Sequence, residues 1–396
     1  MKKVLVIYEG AADVPLDELD GRTPLQAARG SAAAELAEAG SGGFLSACAH
    51  EYEDRNEVLL ASLMGIPPEA ATGLHRGPLE ALARGVPCGP EHMIFRADFV
   101  TWVGDKLCSG PVPPLSPEEV RSLAASLQAA WDPEQLRLEV SGSKGILARI
   151  RTAEQEYPAG IPPVRAEGGN IKDVLPAQPK SDFIWGFLHR AREILEAHPV
   201  NEVRVDLGEN PANGIWLWGG GRVPEPGSIS HAGMPGGCML TRNDLAHGLA
   251  RLCGMPVESL ADPWVREDGK TPGFRLSSIV KRLRETDGMM VYIEAPMEIG
   301  RYGSPTDKVW ALETLDRYVL ARLTEVLKAH RPYRIVLATD GLVSTQSGRS
   351  QSAPLPVIVS GEGVDADAVT HWDEEACRSG ALGTVPPGKV MEFLSG

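Results

Sequence analysis

Short apolar runs alternate along the chain with stretches whose apolar residues recur every three or four positions. The runs "KKVLVIY" near the N-terminus and "MMVYIEA", "RIVLATD" and "LPVIVSG" in the last third have the length and β-branched content of buried strands. Between them, "DKVWALETLDRYVLARLTEVLKAH" carries helical spacing. Strand–helix–strand alternation of this kind predicts a doubly wound, mostly parallel sheet with helices on both faces. Further helices are predicted in "TPLQAARGSAAAELAEAG", "EVLLASLMG", "GPLEALARGV", "SDFIWGFLHRAREILEAHP", "RNDLAHGLARLCG" and "SSIVKRLRE". In "SPEEVRSLAASLQAAW", Ser116 caps, Pro117 suits the first turn and Glu119 completes a capping box.

The middle of the chain reads differently. "EHMIFRADFVTWVGDKLCSG" suggests strands and a turn, and "QLRLEVSGSKGILARI" a hairpin. Residues 208–237, rich in Gly and Pro, read as loop. The expected organisation is an α/β core domain from 1–86 and 226–396, with a smaller α+β domain, 87–225, inserted into it.

Composition narrows the function. The chain has 396 residues, 43% hydrophobic and 23% charged, with a formal charge of −14. That balance argues against nucleic acid or an anionic membrane surface as partner. No run of about 18 apolar residues offers a membrane span. The N-terminal "MKKVLVIYEGAAD" superficially resembles a signal peptide, but its apolar run is short and ends at Glu9, as a first strand would. Six scattered cysteines form no CxxC or Cys/His cluster, which fits free thiols in a reducing cytoplasm. His75, His231, His247 and His371 have no partner at metal spacing.

The blocks "GAADVPLDELDGRTPLQAA", "RGPLEALARGV", "IFRADFVT", "EILEAHPVN", "NPANGIWLWGGGR" and "VYIEAPMEIGRYGSPTDKVWALETLD" come in order along nearly the whole chain. Together they resemble the archaeal-type cofactor-independent phosphoglycerate mutases of the alkaline phosphatase superfamily. The bacterial branch proposed to be homoserine kinases is the most similar part of that group. The resemblance implies an alkaline-phosphatase-like core with an inserted substrate-side domain. It also implies phosphoryl transfer by a serine nucleophile and two divalent cations that clamp the attacking and leaving oxygens.

Position by position, the chain departs from that pattern. Where the family's first strand ends in a metal-binding Asp-Gly, this chain has Glu9-Gly10. The nucleophile's Ser-Asp pair corresponds to Asn56 and Glu57; an amide nitrogen is no phosphoryl acceptor, although Asn56 would cap a helix well. Ser62, about two turns further on, is a poor substitute. The family's Asp-x-x-x-His, expected on a loop over 294–304, reads Met297-Glu298-Ile299-Gly300-Arg301. Arg301 puts a permanent positive charge where a cation should sit, and would pair with Glu9, Glu298 or Asp340, or bind an anion. Asp340 is kept, but Gly341 replaces histidine, and Arg349, Ser350 and Gln351 occupy the region of the last histidine. In the inserted domain, Ser143-Lys144-Gly145 and Pro162-Pro163-Val164-Arg165 replace the two substrate-side motifs.

The residues left for ligand binding are Arg76, Arg96, Lys144, Arg222 and Arg301. No cofactor is expected. The alternative is a single divalent cation (Mg²⁺, Mn²⁺ or Zn²⁺) on Glu9, Asn56 and Asp340. The first expectation is a family member without mutase chemistry that binds a small anionic metabolite or a protein partner. A changed chemistry using Arg301, Glu9, Glu57 and Asp340 is the second, and retained phosphoryl transfer of the mutase or homoserine kinase type the third.

Overall fold

The computed structural model describes residues 1–47, 55–109, 115–141, 145–152, 159–170, 173, 182–230, 232–234, 236–260 and 276–395. The chain divides into two compact units, one formed by Met1–Gly73 with Pro226–Gly396 and the other by Leu74–Glu225. The first boundary falls at 73/74, where sequence patterning put it at 86/87. The reason is the helix Arg76–Arg84, which packs on strands of the inserted unit.

The discontinuous unit is built on an eight-stranded sheet in the order β15-β2-β14-β11-β1-β10-β8-β9. Its strands are β1 (Lys2–Tyr8), β2 (Gly40–Leu45), β8 (Cys238–Leu240), β9 (Val257–Glu258), β10 (Gly288–Ile293), β11 (Tyr333–Thr339), β14 (Leu355–Gly361) and β15 (Gly383–Val385). The pairings β11–β1, β1–β10, β10–β8, β8–β9 and β15–β2 are parallel, and β14 runs antiparallel to both neighbours. Val4 to Tyr8 and all of β10 are buried in unbroken runs. Successive strand residues point to opposite faces, so both faces of the sheet are covered. A two-stranded hairpin, β12 (Leu342–Val343) with β13 (Ser350–Gln351), follows β11.

Two strands escaped the apolar pattern because they are glycine-rich. In β2, a Cβ on Gly40 would lie 2.1 Å from the Val359 carbonyl oxygen, so only glycine allows that backbone approach. In the inserted unit, β7 (Gly214–Gly221) is wholly buried inside the stretch read as loop. A Cβ on Gly220 would lie 2.0 Å from the Phe95 ring. β7 pairs with the long strand β3 (His92–Val103), which also pairs with β4 (Lys106–Ser109) and with β6 (Ile146–Arg151); β6 pairs in turn with β5 (Leu136–Val140). All these pairings are antiparallel. The expected β5–β6 hairpin is present, though its tip at 142–144 lies outside the described residues. The capping box at Ser116 and Glu119 forms as predicted. This unit has its own apolar core, including Phe95, Phe99, Phe187, Leu195 and Trp216.

Candidate functional site

Three parallel neighbours, β10, β1 and β11, end level with one another, since Tyr8 pairs with both Ile293 and Thr339. The next residue of each is a carboxylic acid: Glu294, Glu9 and Asp340. Carboxyl ends of parallel strands are where α/β folds place ligands. Two of these ends, Glu9 and Asp340, border an open cleft lined also by Arg55, Asn56, Met297 and Gln351; Glu294 is not among its lining residues. Gly10, with φ +62°, turns the chain away from Glu9. A Cβ there would lie 2.7 Å from Val343 Cγ2 and 2.9 Å from Met297 Cβ.

The buried carboxylates are held by protein donors. Asn56 Nδ2 donates to Glu9 Oε1 at 3.3 Å, and Asn243 Nδ2 donates to Glu9 Oε2 at 3.2 Å and to Glu294 Oε2 at 2.8 Å. Asn243 also caps the helix Asp244–Leu252, its Oδ1 accepting from Leu245 N and Ala246 N. The Tyr292 hydroxyl donates to Asp340 Oδ2 at 2.7 Å, and Gly10 N to Asp340 Oδ1 at 3.2 Å. Burial pushes the Asp340 carboxyl up to about 6, against the pull of those two donors. Burial, then the charges of Asp340 and Glu9, holds the Tyr292 phenol well above its usual range.

The structure brings the expected residues Glu9, Asn56 and Asp340 to one cleft, and joins to them Asn243, Tyr292 and Glu294, which the sequence analysis does not single out. Asn243 carried a visible signal as an Asn-Asp step ahead of an apolar-periodic run. Glu294 could have been found as the third acid directly after a core strand.

Other expected residues sit differently. Asn56 is the first residue of its helix (Asn56–Leu63) rather than its cap, so its amide is turned to Glu9. Glu57 is buried in an ion pair with Arg55, Oε1 to Nε 2.9 Å, and Ser62 bonds back to the Val58 carbonyl inside the helix. The segment expected as a loop is the helix Ala295–Tyr302, with a proline in its first turn. Met297 lines the cleft from that helix, whereas Arg301, in its last turn, is not among the cleft-lining residues. Arg301 pairs with none of Glu9, Glu298 or Asp340, and its Nε is buried without a hydrogen-bond partner among the described residues. Among the described residues, no group of three or more His, Cys, Asp or Glu is placed to hold a metal ion.

In the inserted unit, Arg76 and Arg96 converge on Glu80, which is 1% exposed. Arg76 Nε and Arg96 Nη1 each lie 2.7 Å from Glu80 Oε1, and Arg84 Nη2 lies 3.1 Å from Oε2. Burial alone would raise the Glu80 carboxyl, but Arg96, Arg76 and Arg84 outweigh it and hold it below its usual range. Arg96 also meets Asp98 at 3.4 Å. Arg84 belongs to this cluster and was not anticipated. Arg222 is exposed and donates to the Pro90 carbonyl. Lys144 lies outside the described residues.

A family model described as 2,3-bisphosphoglycerate-independent phosphoglycerate mutase matches residues 37–201. A curated protein of that name, the second of its kind from Methanothermobacter thermautotrophicus, is 32% identical, covering 100% of this chain and 97% of its own. The Methanosarcina barkeri protein of the same name is 29% identical, covering 100% and 99%. Among solved structures, one Pyrococcus horikoshii protein superposes with a TM-score of 0.69 at 21% identity, covering 99% of this chain and 96% of its own. A cofactor-independent phosphoglycerate mutase from Thermoplasma acidophilum gives 0.55 at 24%, covering 100% and 99%. Both share the fold. The full-length match at 32% identity carries the assignment: the chain belongs to the 2,3-bisphosphoglycerate-independent phosphoglycerate mutase family.

Proposed function

We propose that this chain keeps the family's fold without the family's two-cation, serine-based phosphoryl transfer, and serves instead as a binding protein for a small anionic metabolite. The observation that carries this reading is Asn56. It stands where the resemblance puts the nucleophile, and its amide is engaged with Glu9. The carboxylate oxygens that would face cations accept instead from Asn56, Asn243, Tyr292 and Gly10. Those hydrogen-bond donors compete with a divalent cation for the carboxylate lone pairs. Met297 offers a thioether, a soft ligand, where hard cations want oxygen. On this reading the residues do not fit a two-cation centre. The anionic ligand is suggested by the inserted unit, where Arg76, Arg84 and Arg96 gather around Glu80.

A second reading, an active mutase with replaced ligands, is favoured by whole-length identity to a protein of that name. The two separate on turnover. The purified protein is incubated with 3-phosphoglycerate and Mn²⁺, and 2-phosphoglycerate is followed. We expect no formation above the rate without protein. Turnover abolished by a chelator would establish the second reading.

A further inference from the structure

We propose a separate oxyanion-binding site outside the cleft, formed by Arg301 and the tip of the β12–β13 hairpin, that takes a phosphate or carboxylate group. Among the described residues, three side chains hold a buried nitrogen or oxygen with no hydrogen-bond partner: Trp102, Arg301 and Thr345. Two of the three belong to elements that touch each other. The helix Ala295–Tyr302 lies against the hairpin: a Cβ on Gly300 would be 3.1 Å from the Val343 carbonyl oxygen, and one on Gly348 would be 3.1 Å from that of Arg301. Arg301 and Thr345 therefore belong to the two faces of one contact.

The chemistry of the pair selects the ligand. Guanidinium keeps its charge at every accessible pH and has donors only. The Arg301 side chain has no ion pair or hydrogen bond among the described residues, and its Nε is shut away from water. A buried donor on a permanent cation is costly to leave unmade, and its natural complement is an oxyanion received side-on by the planar fork. Thr345 supports that assignment. Its backbone N–H is engaged by Asp13 Oδ2 at 3.1 Å, which fixes the residue, while its hydroxyl remains unpaired and able to donate. Gly348, at φ +66°, folds the hairpin tip over the helix end. Residue 301 as a whole is only partly buried, so solvent reaches part of it, and binding at Nε requires the side chain to shift.

The site lies in the discontinuous unit and does not depend on what the cleft binds. Titration calorimetry of the full chain with inorganic phosphate, and separately with acetate, tests it in wild type, Arg301→Gln, Arg301→Lys and Thr345→Val. A chelator is kept present, so that the result is independent of any metal. Wild type should bind at least one of the two anions. Arg301→Gln should weaken that binding about tenfold or more, as loss of a charge-assisted contact does. Arg301→Lys should restore only part of it, since it keeps charge without the fork, and Thr345→Val should weaken it a few-fold. Response to phosphate assigns a phosphate group, and response to acetate alone a carboxylate. Binding of neither anion, or binding that Arg301→Gln leaves unchanged, overturns the proposal. Unchanged thermal unfolding of Arg301→Lys and Thr345→Val guards against a folding artefact.

Discussion

Asp340 shows how one residue's surroundings set its chemistry. It is 2% exposed, and burial lifts its carboxyl to about 6 from a usual 3.8. A carboxyl raised in the folded state favours folding when protonated. That contribution is fully present below about pH 3.8 and is lost as pH rises through about 6. Two units correspond to on the order of 3 kcal/mol at most. Unfolding free energy, measured by urea titration from pH 4 to 7, should therefore fall less steeply with pH in Asp340→Asn than in wild type. Parallel profiles would mean that Asp340 is ionised throughout. At this scale the sequence was partly legible. Glu9 and Asp340 were singled out through the resemblance to the family's motifs, and both stand directly after core strands. The partners of Arg301 were not legible, because a side chain's direction depends on helix phase. Arg301 shares a helix with the cleft residue Met297 yet meets none of the cleft's acids.

The segment Ala295–Tyr302, expected as a loop between a buried strand and a helix, is a helix of its own. Pro296 in the first turn and Gly303 at the end bracket a helix of ordinary kind. The segment that follows is equally informative. Lys308 is fully buried in the helix Pro305–Leu315, its ammonium donating to Ala12 O at 2.9 Å, Asp13 Oδ2 at 3.1 Å and Val343 O at 2.7 Å. It ties the turn after β1 to β12, and so sets the geometry of the cleft's rim. Burial lowers its affinity for a proton, and Asp13 opposes that shift. Lys308→Met should cost about 3–5 kcal/mol in denaturant unfolding, since it leaves Asp13 buried without its counter-ion. Adding Asp13→Asn should return much of that loss. A cost under 1 kcal/mol would mean the pair is not holding these elements. Amphipathic helices such as Pro117–Gln128 were legible in outline. Strand β2 was not, because its glycines serve close backbone approach and leave no apolar pattern to read, and β7 was hidden by the glycines and prolines that surround its apolar run at 215–218.

The molecule as a whole is two units crossed by the chain at 73/74 and 225/226. The inserted unit's antiparallel sheet packs against the helices Pro117–Gln128 and Asp182–Glu196, with apolar residues drawn from Met93 through Trp218. Residues 74–225 expressed alone should therefore unfold cooperatively, with near-ultraviolet dichroism from the buried Trp216. A non-cooperative transition would show that its core needs the rest of the chain. The insertion and the parallel core were legible in the switch of periodicity along the sequence. The boundary at 74 was not, because the helix Arg76–Arg84 looks the same in sequence whichever unit it packs against.

The central claim is that the acids at the strand ends are held by protein donors and do not bind the family's cations. Metal content measured by mass spectrometry, after incubation with excess Mn²⁺ and Zn²⁺ and removal of the unbound ion, tests it directly. The account predicts well under one ion per chain in both cases. One or two retained ions per chain, lost on Asp340→Asn, would contradict it and place a metal among Glu9, Asn56 and Asp340.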